Sequence, residues 1–103
     1  MYKATIIYNE PADADAFDEH YAETHAALAR RLPGLQRFTA GKCDAIGGEA
    51  PAAYAIAQLF FRTKDEAAAA FASPEGQAAA DDIPLFASGG VTVHFSDDSS
   101  LLA

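Results

Sequence analysis

The chain contains one cysteine and seven basic residues against fifteen acidic ones, and no apolar run long enough to span a bilayer. Each shortage excludes something. Cys43 cannot close an internal disulfide and has no neighbouring cysteine with which to build a zinc knuckle, which fits a reducing compartment, so a cytoplasmic location is expected. A formal net charge of −8 argues against nucleic-acid binding, whose affinity rests on neutralising phosphates with Lys and Arg, and against an anionic membrane surface. The first ten residues, MYKATIIYNE, carry one basic residue and no apolar stretch, and read neither as a secretion signal nor as a membrane span. No G-x-G-x-x-G, P-loop or G-x-S-x-G occurs, and the Gly47-Gly48 pair lies in a polar connection. Nucleotide cofactors and serine hydrolysis are therefore unsupported, and the expectation is no cofactor and no metal.

What is present describes a folded chain. Half of the 103 residues are hydrophobic and 21% are charged, and the length suits a single domain, 1–103, with one core. Tyr2 to Tyr8 alternates Tyr2, Ala4, Ile6 and Tyr8 with Lys3, Thr5 and Ile7, the pattern of a strand. Pro11 ends it. Asp13 and Asp15 then suit the first turn of a helix, which runs to about Leu32, where Arg30 and Arg31 complement its negative end before Pro33 and Gly34 stop it. At about 100° per residue, Phe17, Tyr21, Thr24, Leu28 and Leu32 fall on one stripe facing the sheet, with His25 just beside it.

Leu35 to Cys43 and Tyr54 to Phe61 read as the next two strands, joined by a connection too long for a tight hairpin. Thr63 and Glu66 form a capping-box pattern opening an alanine-rich helix that reaches Ala72. Ser73-Pro74 starts a short further helix, and Val91 to Phe95 is the last strand before a polar tail. The order β-α-β-β-α-β predicts an α+β, ferredoxin-like fold: a four-stranded antiparallel sheet with its helices on one face. The uncovered face, with apolar residues such as Ile7 and Phe60, predicts a homodimer through the sheet.

The segment Phe17 to Leu35, FDEHYAETHAALARRLPGL, resembles the signature of the EthD-like family, named for ethyl tert-butyl ether degradation. That signature is F-x-x-x-Y-x-x-x-H, then a leucine and a terminal L-P-G; Phe17, Tyr21, His25, Leu28 and Leu32-Pro33-Gly34 match it. ASPEGQAAADDIPLF is similar to the same family's S-P-E-G and D-x-x-x-F segment, while Ala27 stands where many relatives carry proline. The resemblance implies a dimeric α/β barrel. Such barrels include lactone isomerases, polyketide cyclases, decarboxylases and cofactorless or haem-using monooxygenases, so the reaction itself stays open.

Candidates for chemistry are then weighed singly. His25, at the margin of the apolar stripe and on the family histidine, is the candidate general acid or base, expected to border a pocket between helix and sheet. Asp81 and Asp82, ahead of Ile83-Pro84, read as solvated or as capping the turn, and Asp82, which matches the acidic position of the family segment, is the candidate to orient that imidazole. His20 lies five residues before His25, about 140° around an α-helix, so the two are not expected to share a metal ion, and His20 reads as a solvated or rim residue. His94 faces the opposite side of the last strand from Val91, Val93 and Phe95 and reads as structural. Tyr8, Phe38, Tyr54, Phe60 and Phe61 are core by default, with Tyr21, Phe38, Tyr54 and Phe61 the candidates to line a site for a small apolar or aromatic ligand. Two functions follow: a cofactor-independent enzyme acting on an apolar or aromatic carbonyl compound, or a non-catalytic accessory or ligand-binding dimer of an oxidative degradation system. A haem-degrading monooxygenase is a weaker third.

Overall fold

Strand β1 (Tyr2–Tyr8) forms where expected and becomes an inner strand of the sheet. The computed structural model describes residues 1–99, so part of the polar tail lies outside the described residues. Strands β2 (Arg37–Lys42), β3 (Ala55–Phe61) and β4 (Val91–Asp97) complete an antiparallel sheet of order β2-β3-β1-β4. With side chains alternating, Ala4, Ile6 and Tyr8 of β1 and Ala55, Ala57, Leu59 and Phe61 of β3 are buried on one face. Tyr8, Leu59 and Phe61 are the largest fully buried side chains, and the two apolar ones, Leu59 and Phe61, each contribute about 1.5–3 kcal/mol by leaving water. The opposite face is mixed rather than apolar throughout. It carries the cross-strand pair Ile7 and Ile56, and Phe60 between Lys3 and Arg37, but also Thr5, Gln58, Thr92 and an exposed His94.

The first helix is one continuous helical run, but not a uniform one. Asp13 caps it, its carboxylate accepting from the Ala16 N–H. Helix α1 (Ala14–His20) passes into a five-residue π turn (Tyr21–His25) and then into α2 (Ala26–Arg30). The Ala26 N–H reaches back five residues to the Tyr21 carbonyl, the mark of the wider turn. One extra residue in that turn changes the phase of everything after it. The expected stripe through Thr24 is therefore corrected: Thr24 is exposed, and the buried positions after Tyr21 are His25, Ala26, Ala29 and Leu32. The distortion precedes Ala27, so the helix departs from α geometry beside His25 without a proline.

Helices α3 (Lys64–Ala72) and α4 (Pro74–Asp82) meet at a sharp corner. The Thr63 hydroxyl caps α3 by accepting from the Glu66 N–H, and the Ser73 hydroxyl caps α4 by accepting from the Gly76 N–H. Gly76 is required there because a Cβ would lie 2.3 Å from the Ala70 carbonyl oxygen. The corner directs α4 against α2 and delivers its last residue, Asp82, to the first helix.

Candidate functional site

Asp82 is a buried carboxylate at a helix C-terminus, where the helix dipole disfavours negative charge, so it needs compensation. Two imidazoles supply it. His20 Nε2–H donates to Oδ1 at 2.8 Å and His25 Nδ1–H to Oδ2 at 2.9 Å. Burial would raise the Asp82 pKa, but the hydrogen bonds from His20 and His25 prevail and hold it below its ordinary value. Burial pushes the His25 pKa down, with Asp82 opposing it. His25 is thus a neutral imidazole whose proton is fixed on Nδ1, leaving Nε2 as the basic nitrogen.

The pairing corrects the sequence reading of His20. Five residues are about 140° apart on an α-helix, but across a turn that bonds i to i+5 they come onto one side. The π turn is what lets one aspartate hold both histidines. Phe86, the aromatic end of the same D-x-x-x-F segment, roofs the cluster, stacked on His20 at 5.2 Å and 4.8 Å from the His25 ring centre. It was missed as a site residue, although the motif already named it.

A cleft of about 750 Å³ opens between this helix and the β2–β3 side of the sheet. Its wall includes Tyr8, Phe17, Tyr21 and Ala26, with Phe38 and Ala55 from the strands. Tyr8 is 1% exposed and its hydroxyl has no partner at full hydrogen-bond geometry among the described residues, with the Tyr21 hydroxyl a loose neighbour. A buried polar atom left unpaired is uncommon and costly. Burial raises the Tyr8 pKa far above the ordinary phenol range, with Tyr21 and then Asp82 adding to it, and burial pushes Tyr21 up to about 12 against the Tyr8 hydroxyl beside it and, less, the charge of Arg30. Both hydroxyls therefore stay protonated at neutral pH, as donors. At the mouth, Asp18 accepts from Tyr54 Oη at 2.7 Å and pairs with Lys42.

Among the sequence candidates, Tyr21 and Phe38 line the cleft and Tyr54 flanks it through Asp18. Phe61 does not line it: fully buried, it packs on Phe71 in the core. Nor is His25 or Asp82 on the wall. Tyr21 is, with its ring centre 5.3 Å from that of His25. His94 lies on the far face of the sheet, opposite Thr5. Among the described residues no group of three or more His, Cys, Asp or Glu is arranged to hold a metal ion, and no helix is long and apolar enough to cross a membrane.

The comparisons with known proteins agree with the motif reading. A protein of Rhodococcus erythropolis, described as an uncharacterized 11.0 kDa protein in the thcB-thcC intergenic region, is 57% identical over 102 residues, covering 99% of both chains. The solved structure of an ethyl tert-butyl ether degradation family protein from Bacillus halodurans superposes with a TM-score of 0.90 at 28% identity, covering 96% of this chain and 99% of that one. SnoaB of Streptomyces nogalater, a cofactor-independent oxygenase, shares the fold with a TM-score of 0.60 at 18% identity, covering 97% and 94%. Residues 9–90, which hold the π turn, the histidine pair and Asp82, match the EthD domain, and the chain belongs to the EthD family.

Proposed function

We propose that the cleft binds a small apolar or aromatic carbonyl compound and that the protein acts on it without an organic cofactor. The observation that carries this reading is an open cleft of about 750 Å³ walled in part by Tyr8, Phe17, Tyr21 and Phe38, with the buried Tyr8 hydroxyl behind it lacking a partner at full hydrogen-bond geometry among the described residues. The Tyr21 hydroxyl, only partly buried, would donate to a ligand oxygen and accept from the Tyr8 hydroxyl behind it. The chemistry that suits this set is proton transfer at the carbon next to the carbonyl. The C–H electron pair moves into an enolate whose oxygen the Tyr21 hydroxyl, backed by Tyr8, stabilises, the proton passes through a water of the open cleft to Nε2 of His25, and its return to carbon restores the base. The fold shared with a cofactor-independent oxygenase is compatible with chemistry of this kind.

A binding role without catalysis is the second reading, and it is favoured by the position of His25 behind Tyr21 rather than on the cleft wall. One experiment separates the two. A panel of aromatic ketones, lactones and quinones is screened by thermal shift, and each hit is incubated with the protein in D2O and followed by NMR. Hits should be lost in Ala22→Trp, which fills the cleft from an exposed position. Deuterium should enter beside the carbonyl with the parent protein and not with His25→Gln. Binding without exchange leaves the accessory role; no hit, or hits that survive Ala22→Trp, removes the cleft reading.

We also propose that the protein is a homodimer through the uncovered sheet face. Ile7, Ile56 and Phe60 support this, since apolar groups held together on an open sheet favour a partner. Sedimentation should give a dimer at micromolar concentration and a monomer for Ile56→Lys. A monomeric parent protein would end the proposal.

A further inference from the structure

The cleft-lining residues include three full charges, Asp18, Arg30 and Lys42. Two of them cancel. Lys42 pairs with Asp18, lies over the Tyr54 ring, and shares Asp18 with the Tyr54 hydroxyl, a closed group whose first effect is that Lys42 holds the Asp18 carboxyl below its ordinary range. Arg30 is different. It makes no salt bridge among the described residues, and its guanidinium sits 5.6 Å from the ring centre of Phe38, itself part of the wall. Its positive charge also reaches inward, since it acts on the Tyr21 phenol. In a chain of net charge −8, a lone cation over an aromatic wall gives the cleft a sign opposite to that of the molecule.

We propose that the ligand of this cleft is an anion, an aromatic or cyclic apolar compound bearing a carboxylate, and that Arg30 binds that carboxylate at the rim while the tyrosines hold the compound's other oxygen. The inference rests on the cleft reading above and adds the class of ligand. A guanidinium stacked on an aromatic ring is already oriented, keeps its charge at any working pH, and presents paired N–H donors matched to the two oxygens of a carboxylate. The competing explanation is that Arg30 merely complements the negative end of α2, whose last turn it occupies. Arg31 separates the two explanations: it sits at the same helix end with the same charge but does not line this cleft.

The test compares 2-naphthoate with the neutral, nearly isosteric 2-naphthamide by calorimetry at low salt. The acid should bind the parent protein at least about tenfold more tightly than the amide. Arg30→Gln should erase that ratio, Arg30→Lys should keep part of it, and Arg31→Gln should leave it intact. Equal affinities for acid and amide that Ala22→Trp removes would overturn the anion inference and leave the cleft reading standing. A ratio that persists in Arg30→Gln would overturn the role of Arg30. Failure of both compounds to bind at millimolar concentration would overturn the inference together with the cleft reading on which it rests.

Discussion

Tyr8→Phe is expected to melt at a higher temperature than the parent protein while losing ligand binding. The two effects share one cause. The hydroxyl is buried with no partner at full hydrogen-bond geometry, the Tyr21 hydroxyl being only a loose neighbour, and an unsatisfied buried polar group costs about 1–3 kcal/mol relative to the paired state. Replacing it with hydrogen removes that cost without a cavity, because the ring keeps its edge-on contacts with Phe17 and Tyr21 and its tilted contact with Phe86. A gain of about 1 kcal/mol shifts the midpoint of a domain this size by about 4–8 °C. The ligand loses the buried donor that backs the Tyr21 hydroxyl, worth about tenfold in affinity. Stability bought at the expense of function is the expected signature of a residue kept strained for its ligand. Calorimetric melts of the two proteins, each with and without a screening hit, test the pair of effects. A lower melting temperature for Tyr8→Phe would mean that the hydroxyl has a native partner and is not held for a ligand.

The sheet was legible because its signals are local and redundant. Alternation marked β1 to the residue, the Thr63 and Ser73 caps marked both later helices, and Pro33-Gly34 marked the end of the first. The histidine pair was not legible, for a reason that lies in the backbone. Reading the first helix at a constant angle per residue puts His20 and His25 on different sides, and no residue between Tyr21 and His25 announces a wider turn. What stabilises that turn is tertiary: a carboxylate from α4, 57 residues along the chain from His25, accepts from both rings. The family resemblance pointed to His25 and Asp82 one at a time, and the geometry joins them. The cleft was half legible. Tyr21 and Phe38 were among the expected lining residues, but Arg30 read only as a helix-end charge, because nothing in its neighbours along the chain says that Phe38 will lie beneath it.

Asp82→Ala should cost the protein about 2–4 kcal/mol, among the largest single effects expected outside the apolar core. Two hydrogen bonds to a charged acceptor disappear, but they are not equivalent. The His20 side chain is 29% exposed and can turn to water, whereas that of His25 is 4% exposed and cannot. Removing a carboxylate from a helix C-terminus returns about 0.3–1 kcal/mol and offsets part of the loss. The pH dependence carries the diagnostic. In the parent protein the folded pKa of His25 lies below its ordinary 6.5, so the unfolded chain takes up the proton first and stability falls as pH drops below about that value. The folded pKa of Asp82 lies below its ordinary 3.8, so a second loss follows as the pH falls below that. Without Asp82, the attraction that holds the His25 pKa up is gone, leaving burial and, less, the neighbouring His20 to push it down. The loss between about pH 6.5 and 5 should therefore steepen in Asp82→Ala, and the contribution of Asp82 at lower pH should vanish. Asp82→Asn keeps the shape and should cost less, yet an amide N–H turned toward His25 Nδ1 would force the opposite tautomer and take the basic lone pair off Nε2. Urea titrations across pH 2.5 to 8, with histidine nitrogen shifts recorded by NMR, read both effects. If Asp82→Ala and the parent lost stability in parallel down to pH 5, the carboxylate would not be setting the protonation of His25.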